Sequence, residues 1–152
     1  VRAAPRAILL AEAPTSKELE ELGRLPSLLE LGLDLRRFPP RSALDLSLLP
    51  RVERFSLLVT AAPQAPLLDA FLDVAPVVEL RHQAEGGTVS AELRRSGVTL
   101  DATSRTPRFW DFARLWLRWL VDAASPTWGN VRVELDGRPR SEQAWRALAA
   151  GG

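Results

Sequence analysis

The chain has no cysteine, one histidine and one lysine among its 152 residues. Without cysteine there are no disulfides and no thiol chemistry, which suits a reducing compartment, so a cytoplasmic location is expected. Lys17 is the lone lysine, and the remaining basic residues are arginines, a pattern read first as coding bias. A formal net charge of +1 gives no reason to expect nucleic acid or an anionic membrane as partner. The most apolar stretch carries charges too often for a membrane span of about 20 apolar residues. The opening VRAAPRAILLAEAP sets arginines before a short apolar run, but Glu12 interrupts it, so no secretory signal is expected.

The usual signatures of catalysis are missing as well. No serine sits in a Gly-x-Ser-x-Gly elbow. Gly86-Gly87 precedes a strand rather than a helix, so no glycine-rich phosphate loop is present. His82 has Glu79 and Glu85 nearby in sequence, which invites a metal site. On a strand, however, positions 79 and 82 point to opposite faces and do not converge. No cofactor and no metal are expected, and a non-catalytic role is the expectation.

What the chain does have is ordinary for a single globular domain spanning 1–152: 46% hydrophobic and 26% charged residues. Its centre is Thr106–Ala124, TPRFWDFARLWLRWLVDAA. Phe109, Phe112, Trp116, Trp119, Leu120 and Ala123 follow helical three-and-four spacing, with Trp110, Ala113, Leu117 and Val121 beside them. Asp111, Arg114, Arg118 and Asp122 form a narrow charged stripe, with pairs worth about 0.2–0.5 kcal/mol each. The pattern predicts a helix buried over most of its circumference. Thr106 suits its N-cap and Pro107 its first turn, and Ser125-Pro126 is the expected stop. The alternative for this Trp-rich face is a docking surface for a partner.

Nine of the 12 prolines precede His82 and all five tryptophans follow Gly87, so the domain reads as two sub-regions, 1–84 and 85–152. In the first, Ala7–Ala11, Leu29–Leu35, Arg54–Thr60 and Val77–His82 read as short strands. Thr15-x-x-Glu18 has the form of a capping box opening a helix through Leu25. Gln64–Val74 is a second helix candidate, and Ser42–Leu49, behind Pro39-Pro40, a short third. Strands separated by such crossovers favour parallel neighbours. In the second sub-region, Val89/Ala91/Leu93 and Val98/Leu100/Ala102 alternate as a hairpin. A Ser96-Gly97 loop would pair Leu93 with Leu100 and set Glu92 opposite Asp101. Val131, Val133 and Leu135 form a further strand closed by Asp136-Gly137, and Ser141 caps a last helix carrying Trp145 and Leu148. The fold class is α/β: a parallel βα block, then a hairpin, a long Trp-rich helix, a strand and a C-terminal helix.

The first sub-region also carries an internal repeat. Leu25, Leu28, Leu31 and Leu33 recur as Leu49, Val52, Phe55 and Leu57, then as Val74, Val77, Leu80 and His82, with Pro26, Pro50 and Pro76 beside each copy. The period of about 24–25 residues lies in the solenoid range. On these positions, and on ELEELGRLPSLLELGLDL over 18–35, residues 5–84 resemble a leucine-rich repeat. Arg36, Thr60 and Glu85 stand where that family carries its ladder asparagine. The resemblance implies parallel rungs with helical or irregular returns; a plain βαβ sheet is the other reading.

If those strands pair in parallel, their outward residues make one surface: Glu30, Gly32 and Asp34, then Arg54, Ser56 and Leu58, then Glu79, Arg81 and Gln83. A mixed-charge, partly apolar strip suits a protein partner. The expected function is therefore non-catalytic protein–protein interaction, as an adaptor or an immunity-type binder. The alternative is a small-ligand or enzymatic α/β domain with a pocket at strand C-terminal ends, lined by Arg36, Arg37, Thr60, His82 and Gln83. Nucleic acid is a weaker candidate. From Arg81 onward there are 11 basic and 8 acidic residues, with Arg94, Arg95, Arg105 and Arg108 near the hairpin and helix start. The tryptophans available for stacking lie at core spacing.

Overall fold

The structure is a computed structural model and describes residues 6–37, 45–107 and 109–151. Eight strands form a single mixed sheet in strictly sequential order. They are β1 (Ala7–Leu10), β2 (Glu30–Asp34), β3 (Arg54–Leu58), β4 (Val77–Ala84), β5 (Gly87–Arg94), β6 (Gly97–Ser104), β7 (Asn130–Leu135) and β8 (Arg138–Arg140). Strands β1 to β4 are parallel, β4 to β6 antiparallel, β6 and β7 parallel, and β7 and β8 antiparallel. The α/β class and the parallel leading block agree with the sequence.

The first crossovers form for the reasons their residues give. Helix α1 (Ser16–Gly23) opens on the Thr15–Glu18 capping box: the Glu18 N–H donates to Thr15 Oγ1 at 3.2 Å and the Thr15 N–H to Glu18 Oε1 at 3.3 Å. Gly23 ends it against the backbone of a 3₁₀ turn at Leu46–Leu48, where an added Cβ would lie 1.9 Å from the Leu48 carbonyl oxygen. That turn is what the structure shows of the Ser42–Leu49 helix; the Pro39-Pro40 break lies outside the described residues. Helix α2 (Ala65–Leu72) follows Gln64, with proline in its first turn, and seats Phe71 edge-on to Phe55 at 4.8 Å between centroids.

The strand registers refine the repeat. Ala7, Glu30, Arg54 and Val77 lie side by side, spacings of 23, 24 and 23 residues. Phe55 pairs with Val78 and Leu57 with Leu80, so the third copy starts two residues earlier than the leucine pattern suggests. A slip of two leaves each side chain on its proper face, which is why the hydrophobic pattern does not reveal it. The hairpin shows the same slip. Leu93 pairs with Val98 around an Arg95-Ser96 turn, and Glu92 faces Thr99 rather than Asp101. Gly97 stands outside the turn's centre, at the start of β6, and packs against Asn130, whose backbone oxygen a Cβ would meet at 2.5 Å.

The two sub-regions are continuous. Strand β4 runs past His82 to Ala84, turns at Glu85-Gly86 and pairs with β5 from Val78 to Ala84. The Asp136-Gly137 turn, with φ of 52° and 77°, likewise returns the chain as β8, a strand the sequence reading lacks.

Helix α3 (Phe109–Trp119) begins after Thr106 and Pro107, and the Pro107 carbonyl accepts the Trp110 N–H at 3.3 Å. The helix does not stop at Ser125-Pro126. It widens into a π segment at Leu120–Ala124, in which the Ser125 N–H reaches back to the Leu120 carbonyl, and continues as α4 (Ser125–Trp128). Proline has no N–H and its ring crowds the carbonyl four residues back, so a local widening lets the helix pass it. Gly129, at φ 79°, ends the run. Ser141 caps α5 (Glu142–Ala149) by accepting the Ala144 N–H at 3.2 Å. Arg114 and Arg118 then cross from α3 to donate to the Leu148 and Ala149 carbonyls at 3.1 and 3.0 Å, filling acceptors the helix end leaves open.

All these helices lie on one side of the sheet. Their buried residues join the inward strand residues in one cluster that includes Leu19, Phe71, Trp116, Leu120, Trp128 and Trp145. The tryptophan-bearing helix is thus interior scaffold. Leu115, in the middle of its charged stripe, is its outlier at 61% exposed.

Candidate functional site

The helix layer leaves the opposite face of the sheet uncovered among the described residues. The outward residues expected from the first three full rungs share that face in register. Glu30 pairs with Arg54; Gly32 with Ser56 and then Glu79; Asp34 with Leu58 and then Arg81. Gln83 follows on β4 opposite Thr88. The face then continues, beyond what the rung pattern indicated, through Ser90 and Glu92, Thr99 and Asp101, and Arg132 and Glu134. That extension was legible in the polar members of the alternating hairpin. Alternation alone does not join it to the first rungs, because only the pairing of β4 with β5 brings the two together.

An ion network crosses this face with Arg54 at its hub. Arg54 pairs with Glu79, with Glu92 at 3.2 Å and, at the limit, with Glu30 at 4.0 Å. Arg81 reaches Glu79 at 3.3 Å and Arg94 reaches Glu92 at 3.5 Å. Three arginines and three glutamates from β2 to β5 therefore balance one another. Asp34, buried at the end of β2, accepts two bonds from the Arg36 guanidinium at 2.9 Å each, and this pairing holds its carboxyl below the ordinary 3.8. Toward β8, Asp136 accepts the Ser104 N–H at 2.7 Å and the Ser104 hydroxyl at 2.8 Å, and these bonds lower its pKa as well.

The candidate pocket residues are not gathered into a pocket. His82 faces the helix layer, away from Glu79, and is 8% exposed. Its ring stands edge-on to Phe112 at 4.3 Å, and its Nδ1 accepts the Trp116 indole N–H at 3.3 Å. That bond fixes the neutral ring with its proton on Nε2. Burial pulls its pKa below the ordinary 6.5. Arg36, Arg37, Thr60 and Gln83 are exposed at strand ends, without His82 among them. Clefts lie elsewhere among the described residues, such as one of about 360 Å³ around Ser125, Asn130 and Glu142, one of about 340 Å³ around Arg118, Asp122 and Arg146, and one of about 270 Å³ around Arg94, Thr99 and Arg132. Among the described residues no group of three or more His, Asp or Glu is placed to hold a metal ion. No described helix is long and apolar enough to cross a membrane. Of the expected arginine cluster, Arg94 is tied to Glu92, Arg95 is tied to Asp69 and Asp73 on α2, and Arg105 is exposed. Arg108 lies outside the described residues.

The chain matches no protein-family model, no curated protein and no solved structure.

Proposed function

We propose that this chain is a cytoplasmic, non-catalytic protein-interaction domain, an adaptor or immunity-type binder, that presents the uncovered face of its sheet to a protein partner. The observation that carries the reading is the one-sided helix layer, which leaves the other face of the eight-stranded sheet, largely polar from β2 onward, without a covering element among the described residues. Size supports it. Seven inter-strand gaps of about 4.8 Å make a face about 34 Å wide, and strands of three to eight residues make it about 10–27 Å tall. The resulting area, roughly 700 Å², is close to the roughly 800 Å² that each partner contributes to a standard interface. A small molecule needs a concave, mostly apolar site instead. The burial of His82 among aromatic rings weighs against that alternative.

Charge reversal on the face tests the reading. The pair Arg81→Glu and Gln83→Arg, both exposed, should abolish retention of a protein that the wild-type chain captures from native lysate. Lys17→Glu, on exposed α1, should leave retention unchanged. Equal retention by all three chains, or by none, would overturn the assignment of this face.

A further inference from the structure

The two edges of the sheet are built differently. At the β8 edge the sequence is Arg138-Pro139-Arg140, and all three residues are exposed. Beside a two-residue turn, Arg138 bonds inward to Leu135, which turns the nitrogen of Pro139 outward. That edge offers no N–H at its centre, and pairing with itself would set arginine against arginine. Proline and charge at an edge are the usual guards against strand addition.

The β1 edge has no such guard. Its sequence is Ala7-Ile8-Leu9-Leu10, and Leu9 is 59% exposed. Ile8 and Leu10, on the helix side, are only half-buried. The Arg6 carbonyl accepts the Glu30 N–H at 3.0 Å, so it points to β2. In a parallel ladder the backbone groups of Ile8 then also face β2, and those of Ala7 and Leu9 face out. Among the described residues no strand takes them up.

We propose that β1 pairs with β1 of a second copy of this chain, antiparallel about a two-fold axis at Leu9. The sequence is self-complementary in that register. Leu9 exchanges both backbone bonds with its counterpart. Ile8 lies opposite Leu10 of the other copy, closing the half-open end of each core. Arg6, just before the strand, lies opposite Glu12 of the other copy, just after it, and both are exposed. A register shifted by two in either direction breaks this charge match and takes Leu9 off the axis. The product is a continuous sixteen-stranded sheet, twice the eight of one copy, with both uncovered faces on the same side. This association is separate from the partner-binding face and does not depend on it.

Sedimentation equilibrium of the purified 152-residue chain over about a hundredfold concentration range tests it directly. The expected result is a monomer–dimer equilibrium. Arg6→Glu alone sets a new carboxylate against Glu12 of the other copy, and Glu12→Arg alone sets a new guanidinium against Arg6. Each should raise the dissociation constant by about tenfold or more, because like charges meet twice in a two-fold interface. The double exchange Arg6→Glu/Glu12→Arg should restore it to near wild type, which no loss of folding would do. Leu9→Lys, with like charges on the axis, should leave a monomer. A monomer at every concentration, a dimer indifferent to the three single changes, or a double exchange that fails to restore it would overturn the proposal.

Discussion

One face of this sheet is held by volume and the other by charge. On the covered face, Phe55, Leu57, Leu80, Val89, Leu93 and Leu100 are all but inaccessible and meet Phe71, Trp116 and Leu120. On the uncovered face the same strands show Arg54, Glu79, Arg81, Glu92, Thr99 and Asp101, half-buried or exposed. Each strand from β2 to β7 contributes to both, because successive side chains point to opposite sides. The lesson is one of division of labour. Apolar burial of about 25 cal/mol per Å² accumulates on the covered face, while ion pairs open to water are worth about 0–1 kcal/mol each. Stability should therefore respond to the covered face and partner binding to the other. Substitutions on the two faces test that separation.

The largest effect belongs to Trp116→Ala. Trp116 is 2% exposed, stacks edge-on with Trp119 at 5.6 Å and donates to His82. Its removal should cost about 3–5 kcal/mol, read as a lower urea midpoint with an unchanged slope. Next comes Gly23→Ala. An added Cβ 1.9 Å from the Leu48 carbonyl forces α1 and the 3₁₀ turn apart, for about 1–3 kcal/mol by the same assay. A loss under about 0.5 kcal/mol at either site would mean the covered face is not the stabilising one.

How far the sequence carried the fold follows from what kind of information each element needed. Local chemistry was enough for the capping box at Thr15, the alternation of β5 and β6, and the buried spacing of Trp116 and Leu120. Register was not, because a two-residue slip preserves facing. Only tertiary contacts, such as Gly97 against Asn130, choose between the options. The continuation through Ser125-Pro126 was hidden for a different reason. A proline usually ends a helix, and nothing local marks the π segment that lets this one pass, in which Leu120 and Ala124 are buried. Of the candidate site, the shared face from Glu30 to Gln83 was readable from alternation. The Arg54 hub was not, since Glu79 and Glu92 meet it only once β4 turns back as β5.

Arg54→Met sharpens the comparison from the charged side. It leaves Glu30, Glu79 and Glu92 facing one another without their shared cation, and it should cost about 1 kcal/mol at low salt. The difference from wild type should shrink toward zero at high salt, as screening acts on water-exposed charges. A cost independent of salt would place Arg54 among packing residues instead. Titration separates the faces too. His82 on the covered side has a folded pKa below 6.5, so the unfolded chain binds its proton first as pH falls. Stability should be full above about 6.5 and decline below it, and His82→Asn should flatten that decline. Asp34, on the other side, has a folded pKa below 3.8, so its contribution is complete above about 3.8 and is lost only at more acid pH. Unfolding midpoints measured from pH 8 to pH 3 would resolve the two windows.

The smallest change in stability is expected at Arg81, and it is the sharpest test of the separation. Arg81 is exposed, and its ion pair with Glu79 is 3.3 Å long and open to water. Glu79 keeps Arg54 when that pair is lost. Arg81→Gln should therefore shift unfolding by no more than about 0.5 kcal/mol. Its position is another matter, because it lies in the row with Asp34 and Leu58, near the middle of the uncovered face. Charged residues there set the association rate and its salt dependence more than they set the fold. A variant that unfolds like wild type yet associates more slowly with the partner is the expected outcome. One that loses stability while binding at the wild-type rate would show that this face, too, serves chiefly to hold the sheet together.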